Sequence, residues 1–386
     1  MDLETFQWLL TDEGQTVLER AAGLVGGDPI KAAETLRAHA TPEQAATALS
    51  QAVLRGAAVA KFGELAPKMY FTRDGLEQAT RLRVSRHRAS RIAFAAPSSV
   101  LDIGCGIGGD LIAISTAGLT VAGVDLDPIR VAVASANLTA LGLDGAVLNT
   151  DGTTLDVSGF GVVFADPARR TAAGRVFSVD DYSPPWSFVT SLLARAACVK
   201  VAPGIPHSLV PEGVEAEWVS DDGEVKEAAL WSSYLATARR RATVIRGNGL
   251  ASLTDEDDPG AGVVPTRRYL YEPDGAVIRA GLVTAVAAIV HGGLVDEHIA
   301  YVTSDVATDT PFARGYEVLE TLPYREKLLK AALRERGIGR LTIKKRGVDV
   351  VPDELRKRLS LQGDNEATIV LTRVDGDGTA LLVRPL

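Results

Sequence analysis

The chain has few of the residues that build disulfide frameworks or metal centres. Among its 386 residues there are two cysteines, Cys105 and Cys198, and five histidines. Two cysteines provide no disulfide framework, and neither residue type recurs at the spacing of metal ligands. We therefore expect both cysteines to be small buried residues, and we predict no bound metal.

Long apolar runs are also scarce. The first residues lack the basic and then apolar order of a secretory signal, and the apolar stretch from Gly281 is too short to span a bilayer. Hydrophobic residues make up 46% of the chain and charged residues 23%, as in ordinary globular domains. We expect a soluble cytoplasmic protein of two or three domains, whose oligomeric state the sequence leaves open.

Positive charge is in deficit overall but concentrated locally. The formal net charge of −8 argues against indiscriminate attraction to nucleic acid. Between Tyr324 and Arg358, however, twelve Lys or Arg residues stand against five Asp or Glu, and a second basic cluster lies between Arg73 and Arg91. Each cluster is either a solvated helix face or a surface for RNA.

The hydrophobic pattern divides the chain. Residues 1–60 have helical periodicity and capping signals, and a further helical stretch runs from about Thr72 to Ala95. From Ser99 to about Ala202 strands alternate with helices, which predicts a parallel sheet built from βαβ units. Residues 206–310 contain hairpin signals with Asp-Gly turns, in WVSDDGEVKEAALWSS and RRYLYEPDGAVI. After Phe312 the order strand, helix, strand, helix, hairpin predicts a separate α+β module, and the hairpin, ATIVLTRVDGDGTALLVRP, also has an Asp-Gly turn.

The segment VLDIGCGIGGD at residues 100–110 is the most informative part of the sequence. An apolar strand leads into a glycine-rich turn, where the backbone can approach a ligand closely. The glycine spacing also fits a dinucleotide site. Asp102, two residues before the first glycine, favours a cationic ligand over a pyrophosphate. Asp125 ends the next strand, where a carboxylate can accept both ribose hydroxyls, and Asp127 is expected to be a helix N-cap.

The pattern Asp-x-Gly-x-Gly-x-Gly resembles motif I of the class I S-adenosylmethionine-dependent methyltransferases. With FTRDGLEQAT at residues 71–80, DPARR at 166–170 and the terminal module, it resembles a bacterial group that has an N-terminal helical region and a THUMP-like C-terminal domain. The resemblance implies a Rossmann-like sheet at 66–310 with an α+β insertion around 206–240, a helical domain at 1–65 and a THUMP-like module at 312–386. It implies S-adenosylmethionine as cofactor, with Asp151 near the adenine, and these cofactor-binding residues: Asp102, Gly104, Cys105, Gly106, Gly108, Asp125, Leu126, Asp151 and Gly152.

The acceptor side is predicted at Asp166, Pro167 and Arg169. Amino-group methyltransferases often carry Asp-Pro-Pro and an aromatic residue at this strand end, but this chain has Ala168 and Arg169 in the last two positions. Base methylation is therefore an expectation, with Arg169 stacking on a base, binding phosphate or pairing with an acid. The tetrapeptide Ser183-Pro184-Pro185-Trp186 fits better by letter, but no strand is expected before it. Lys200, at the end of the fifth strand, is a candidate pocket residue, although a solvent-facing position is the more common one for a lysine.

Three functions are consistent with these patterns. The first is methylation of a base in structured RNA, rRNA or tRNA, by in-line transfer in which positioning supplies most of the rate. The resemblance to THUMP-type domains, which are associated with RNA binding in tRNA-modifying enzymes, favours it. The second is methylation of a protein or small molecule, which the acidic balance favours. The third is a non-catalytic RNA-binding module that retains a cofactor site.

Overall fold

The chain divides into two units within residues 1–169 and 182–386, the part that the computed structural model describes. The first unit contains residues 1–214 and 229–236, and the second contains residues 215–228 and 237–386. The strand from Glu224 to Trp231 contributes residues to both.

The first unit begins with six α-helices, and five of them start after a residue whose side chain caps the helix. Thr41 and Gln44 form the expected capping box, and Asp28 and Thr72 cap two other helices. The predicted helical stretch from Thr72 is two helices, because the backbone is extended at Ala79. The helices are α1 (Leu3–Leu9), α2 (Asp12–Leu24), α3 (Pro29–Arg37), α4 (Pro42–Phe62), α5 (Arg73–Gln78) and α6 (Leu82–Phe94).

The predicted parallel sheet follows α6. Its neighbouring strands run in the order β7-β4-β1-β2-β3, and each of these pairs is parallel. The carboxyl ends of the strands therefore share one edge, where ligands of such sheets bind. The elements are β1 (Val100–Ile103), α7 (Gly109–Thr116), β2 (Val121–Asp125), α8 (Pro128–Ala140), β3 (Ala146–Asn149), β4 (Val162–Ala165), β5 (Ala168–Arg169), β6 (Tyr182–Ser183), α9 (Trp186–Leu192) and β7 (Ala197–Val201).

The N-terminal helices and this sheet share one hydrophobic core, in which Phe62 of α4 packs against Phe71 with ring centroids 5.6 Å apart. Two buried side-chain amides hold residues 70 and 71, which lie between α4 and α5. Gln51 bonds both backbone groups of Phe71, and Asn137 of α8 accepts from Tyr70 N at 2.6 Å and donates to Tyr70 O at 3.1 Å. Because burial leaves no water for these groups, the two amides fix residues 70 and 71 in place.

The second unit contains an antiparallel hairpin, a further strand pair and a seven-stranded sheet. In that sheet the strand order is β13-β14-β12-β15-β18-β17-β16. Helices α12 and α13 pack on β16 and share a core with β17. The elements are β8 (Glu215–Asp221), β9 (Glu224–Trp231), β10 (Arg240–Arg246), β11 (Gly249–Thr254), β12 (Tyr269–Pro273), α10 (Gly275–Ala280), α11 (Val283–Ile289), β13 (Gly293–Asp296), β14 (Ile299–Ser304), β15 (Ala313–Leu322), α12 (Glu326–Glu335), β16 (Ile338–Lys345), α13 (Pro352–Leu359), β17 (Asn365–Val374) and β18 (Asp377–Pro385).

The three Asp-Gly dipeptides that signalled turns have two different outcomes. Asp222-Gly223 and Asp375-Gly376 both have positive φ at each residue, as tight hairpins require, and they join β8 to β9 and β17 to β18. The hairpin predicted at RRYLYEPDGAVI is wrong. There Asp274 has φ −59° and caps α10 by accepting from Ala276 N at 2.9 Å, so the strand β12 is followed by a helix.

We predict that Asn137→Leu lowers the free energy of unfolding by about 2–4 kcal/mol, because the buried backbone groups of Tyr70 and the carbonyl of Ile107 lose their partner at nearly constant side-chain volume. Denaturant unfolding checks this. Ser135→Ala, on the exposed side of the same helix, is the matched control and should change stability little. Equal stability of both variants would contradict the conclusion that the Asn137 hydrogen bonds to Tyr70 and Ile107 stabilise the fold.

Candidate active site

The turn after β1 combines left-handed backbone with tight packing. Gly104 has φ +81° and Gly106 has φ +55°, values that side-chain-bearing residues rarely adopt. A Cβ at Gly104 would lie 3.3 Å from the carbonyl oxygen of Asp166, whereas a Cβ at Gly106 would meet nothing within 4 Å. The turn therefore touches the end of β4 on one side and is open above Gly106.

Two side chains brace this turn. Asp125, at the end of β2, accepts from Gly106 N through Oδ2 and from Asp127 N through Oδ1, both at 2.9 Å. Asn137 donates to the carbonyl oxygen of Ile107 at 2.9 Å. Each Asp125 oxygen keeps a lone pair, so the carboxylate predicted to bind ribose hydroxyls also holds the turn. Asp127 is the N-cap of α8, as expected.

The segment before α6 packs over the same turn. At Gly75 in α5 a Cβ would approach the Cγ2 atom of Ile107 to 2.4 Å. Only a glycine allows α5 to lie this close to the turn. This contact accounts for Gly75 in the FTRDGLEQAT motif.

Asp102 is the most unusual group of the site. It is 1% exposed, and within the described residues neither of its carboxylate oxygens has a hydrogen-bond partner. Burial raises its pKa well above the usual range, and the nearby carboxylates of Asp110 and Asp166 raise it further. A buried carboxyl without partners is costly, and a cationic ligand beside the turn would offset that cost. The site therefore fits the positively charged groups of S-adenosylmethionine.

Asp110 is neutralised by Arg88, a residue that was expected on a basic surface. Arg88 of α6 pairs with Asp110 in the first turn of α7, and its guanidinium lies 4.4 Å from the centre of the Phe164 ring. Arg88 is only 2% exposed. It therefore does not belong to the basic surface predicted between Arg73 and Arg91. Its burial was signalled only by its place on the apolar face of α6, beside Ala89 and Ile92.

The end of β3 approaches the end of β1. A Cβ at Gly152 would lie 2.5 Å from Ile103 Cγ2, so only a glycine fits. Asp151 accepts from the backbone N of Thr153 at 2.9 Å and its hydroxyl at 2.7 Å, and these bonds lower the pKa of the carboxyl. Its second oxygen is left for a ligand. Leu126, which follows β2, is 70% exposed, so it is accessible to a ligand such as the predicted adenine ring.

Cys105 lies under the turn and not at its surface. It is 7% exposed, and burial raises the pKa of its thiol. A Cβ at Gly123 of β2 would lie 3.0 Å from its Sγ atom. Cys105 can therefore serve the site only through its backbone, while Cys198 is fully buried, as expected.

The acceptor motif, which starts at Asp166, lies against the glycine turn after β1. The backbone N of Asp166 donates to Ile103 O at 3.2 Å, and Pro167 is buried. Beyond it, the backbone of β5 pairs with β6, with Ala168 opposite Ser183. The side chain of Arg169 and all of Arg170 lie outside the described residues.

This pairing corrects the expectation for Ser183-Pro184-Pro185-Trp186. The first residue of the tetrapeptide, Ser183, is the last residue of the short strand β6, and that strand lies beside the Asp166 motif. A two-residue strand has no hydrophobic alternation, so no sequence signal could reveal it.

Lys200 was a candidate pocket residue with a solvent-facing position as the alternative, and the structure shows it bonded to the acceptor motif. Its Nζ atom lies 2.7 Å from Asp166 Oδ2 and 3.0 Å from Thr80 Oγ1. Its side chain is 18% exposed. Ala165 of β4 pairs with Val199 of β7. The residues that follow them, Asp166 and Lys200, therefore lie side by side at the common edge of the sheet.

The parallel sheet and its acidic edge define an α/β protein whose strand ends fit a positively charged ligand. Family models match residues 100–173 as a methyltransferase domain, residues 313–385 as THUMP domain-like and residues 2–58 as a domain of unknown function. The predicted domain boundaries remain proposals.

The chain is 38% identical over 350 residues to an uncharacterized S-adenosylmethionine-dependent methyltransferase of Mycobacterium tuberculosis, as sequenced from two strains. The match covers 86% of this chain and 95% of the relative. A crystal structure of a proposed methyltransferase from Porphyromonas gingivalis W83 has the same fold, with a TM-score of 0.75, 21% identity and coverage of 96% and 98% of the two chains.

The protein belongs to the S-adenosylmethionine-dependent methyltransferases. Its fold is the expected Rossmann-like sheet with a THUMP-like C-terminal module, and its cofactor is S-adenosylmethionine. None of the helices in the described ranges is long and apolar enough to cross a membrane. Residues 1–169 and 182–386 contain no group of three or more His, Cys, Asp or Glu side chains that could hold a metal ion.

We predict that Asp102→Asn stabilises the free protein and weakens cofactor binding. Because the folded state holds the Asp102 proton more tightly than the unfolded state, wild-type stability falls as pH rises from the usual carboxyl range toward the raised pKa. The amide lacks this loss, so the melting temperature at neutral pH should rise by about 2–4 °C for each kcal/mol recovered.

The same variant should bind S-adenosylmethionine roughly 10- to 100-fold more weakly, since a charged partner is lost. Differential scanning calorimetry and cofactor titration measure the two effects. Asp144→Asn, at an exposed carboxyl far along the chain from the turn, is the control. A variant that is less stable and binds the cofactor normally would refute the assignment of Asp102.

Proposed function

We propose that this methyltransferase modifies a base in structured RNA, rRNA or tRNA, in the cytoplasm. The observation that carries the proposal is the THUMP-like module on the same chain as the methyltransferase domain. THUMP-type domains are associated with RNA binding in tRNA-modifying enzymes.

The charge on the module supports a specific contact surface. Of the twelve basic residues between Tyr324 and Arg358, eight contact carboxylates, backbone carbonyls or an aromatic ring. Lys330 and Arg334, for example, donate to carbonyls at the end of α13. Four exposed residues have no polar side-chain partner in the described part of the chain, and we propose that these contact phosphate: Arg325, Lys327, Lys345 and Lys357.

For the cofactor, we propose that Asp102 faces its cationic groups, that Asp125 accepts from the ribose and that Asp151 accepts from the adenine amino group. The glycines at 104, 106, 108 and 152 and the backbone of Cys105 would line the site, with Leu126 against the adenine. When bound, S-adenosylmethionine supplies an electrophilic methyl group on a sulfonium.

For the acceptor, we propose that Asp166 accepts a hydrogen bond from the target base and that Pro167 fixes the strand end. The close contact between Gly104 and the Asp166 carbonyl supports this, because it puts the acceptor beside the turn that holds the donor. Positioning of the two reactants can supply most of the rate. Arg169 would stack on the base or bind a phosphate.

A protein or small-molecule acceptor is the second candidate. The net charge of −8 and the internal pairing of most basic residues in the module favour it. The two candidates differ in salt dependence, because phosphate contacts release counterions and small neutral acceptors do not.

We predict that the purified protein transfers labelled methyl groups to RNA extracted from a deletion strain and not to RNA from wild-type cells. The wild-type RNA is the control, since its sites are already modified. Asp166→Ala should abolish transfer while the protein still binds the cofactor. Cofactor binding without labelling of rRNA or tRNA would contradict the proposed substrate.

We predict that R325Q/K327Q/K345Q/K357Q weakens RNA binding and reduces the slope of log K against log salt by about 3, close to the value for four lost phosphate contacts. The matched control R20Q/K31Q/R37Q/K68Q removes four positive charges from exposed residues of the first unit. Filter binding at several salt concentrations measures both. An equal loss in both variants would show a charge effect with no specific surface.

A further inference from the structure

The ion pair between Lys200 and Asp166 lies where the methyl acceptor is expected. The carboxylate uses Oδ2 for Lys200, and Oδ1 has no hydrogen-bond partner within the described residues. The side chain of Asp166 is 31% exposed. A substrate that reaches this strand end therefore meets a carboxylate oxygen and an ammonium group side by side.

The pair is held rigidly by its surroundings. Thr80 Oγ1 accepts from Lys200, and the chain just before Thr80 is fixed by Lys61 at the end of α4. Lys61 Nζ lies 2.8 Å from Leu76 O, 2.6 Å from Glu77 O and 2.8 Å from Ala79 O. The N-terminal helices thereby position the residue that orients Lys200. An ordinary surface ion pair has no such support, and its side chains are free to separate.

An ammonium beside the acceptor discriminates between acceptor chemistries. When an exocyclic amino group of adenine or cytosine attacks the methyl carbon, positive charge develops on its nitrogen, and a neighbouring cation opposes this. A lactam N–H of guanine or uracil must instead lose its proton, and the resulting anion spreads its charge over nitrogen and the adjoining oxygen. A nearby cation stabilises that anion and makes the N–H more acidic.

We propose that the Lys200–Asp166 pair selects a lactam N–H of guanine or uracil as the methyl acceptor, and that the Lys200 ammonium stabilises the lactam anion. This assignment rests on the proposed RNA substrate.

The reaction balances without a further reactant. Asp166 Oδ1 accepts the hydrogen bond of the lactam N–H, and the proton leaves through it to water. The lactam nitrogen then forms a bond to the methyl carbon as the carbon–sulfur bond breaks. The products are an N-methyl lactam and a neutral thioether.

The first test identifies the product by mass spectrometry of nucleosides from RNA that the enzyme has methylated. Methylation on the lactam nitrogen of guanosine or uridine supports the proposal. Methylation on an amino nitrogen or on a ribose oxygen overturns it, while the RNA substrate stands. If no RNA is methylated, the proposed function falls and this assignment falls with it.

The second test is the pH profile of kcat for Lys200→Gln and Lys200→Arg. In the wild type kcat should rise with pH until the bound lactam is ionised. Lys200→Gln should move that rise to higher pH and lower kcat about 100-fold at neutral pH, with little change in KM for S-adenosylmethionine. Lys200→Arg, which keeps the positive charge, should restore most of the wild-type profile.

Lys344→Gln is the matched control, because Lys344 and Glu272 form a half-buried ion pair of similar length, 2.6 Å, in the second unit. It should leave the pH profile unchanged. Thermal unfolding verifies that each variant folds, and Thr80→Ala, which loses only one hydrogen bond to Lys200, provides a milder second variant. An unshifted pH profile in Lys200→Gln and Thr80→Ala would overturn the role of Lys200.

Discussion

The glycine turn after β1 depends on two polar side chains that hold its backbone. Asp125 accepts a hydrogen bond from the N–H of Gly106. Asn137 donates to the carbonyl of Ile107 and also bonds both backbone groups of Tyr70. Without these bonds, a left-handed segment would be left with unpaired backbone groups in a buried place. The same amide thus joins the turn to the segment that leads into α5, so the helices before the sheet are part of the site's construction.

Holding the turn in this way gathers three carboxyl groups at one edge of the sheet. Asp102, Asp125 and Asp166 end or nearly end three adjacent strands, and Arg88 pairs with Asp110 behind them. A protein selected for stability alone would not keep Asp102 buried without a hydrogen bond. The arrangement is explained by a cationic cofactor, which the family membership of the chain supplies. On the acceptor side, Lys200 forms an ion pair with Asp166.

The sequence predicted the elements that have strong local signals. The strand and glycine turn at residues 100–109, the capping box at Thr41 and the turns at Gly223 and Gly376 are set by nearby residues. The hairpin predicted at residues 274 and 275 is wrong because Asp274 caps α10, and aspartate is common both at helix N-caps and in hairpin turns. The partners of Arg88 and Lys200 could not be predicted, for another reason. Both carry charges that are partnered across the fold, by Asp110 and by Asp166, and such distant pairs leave no trace in local periodicity.

The most direct measurement of the central claim is the number of protons released when S-adenosylmethionine binds. Calorimetric titrations at one neutral pH, in buffers of different ionisation enthalpy, give that number. If Asp102 is protonated in the free protein and ionised against the bound cation, the wild type should release more protons than Asp102→Asn, by up to about one for each site. Equal proton release by both proteins would contradict the account, because Asp102 would then not be the group that meets the cofactor's charge.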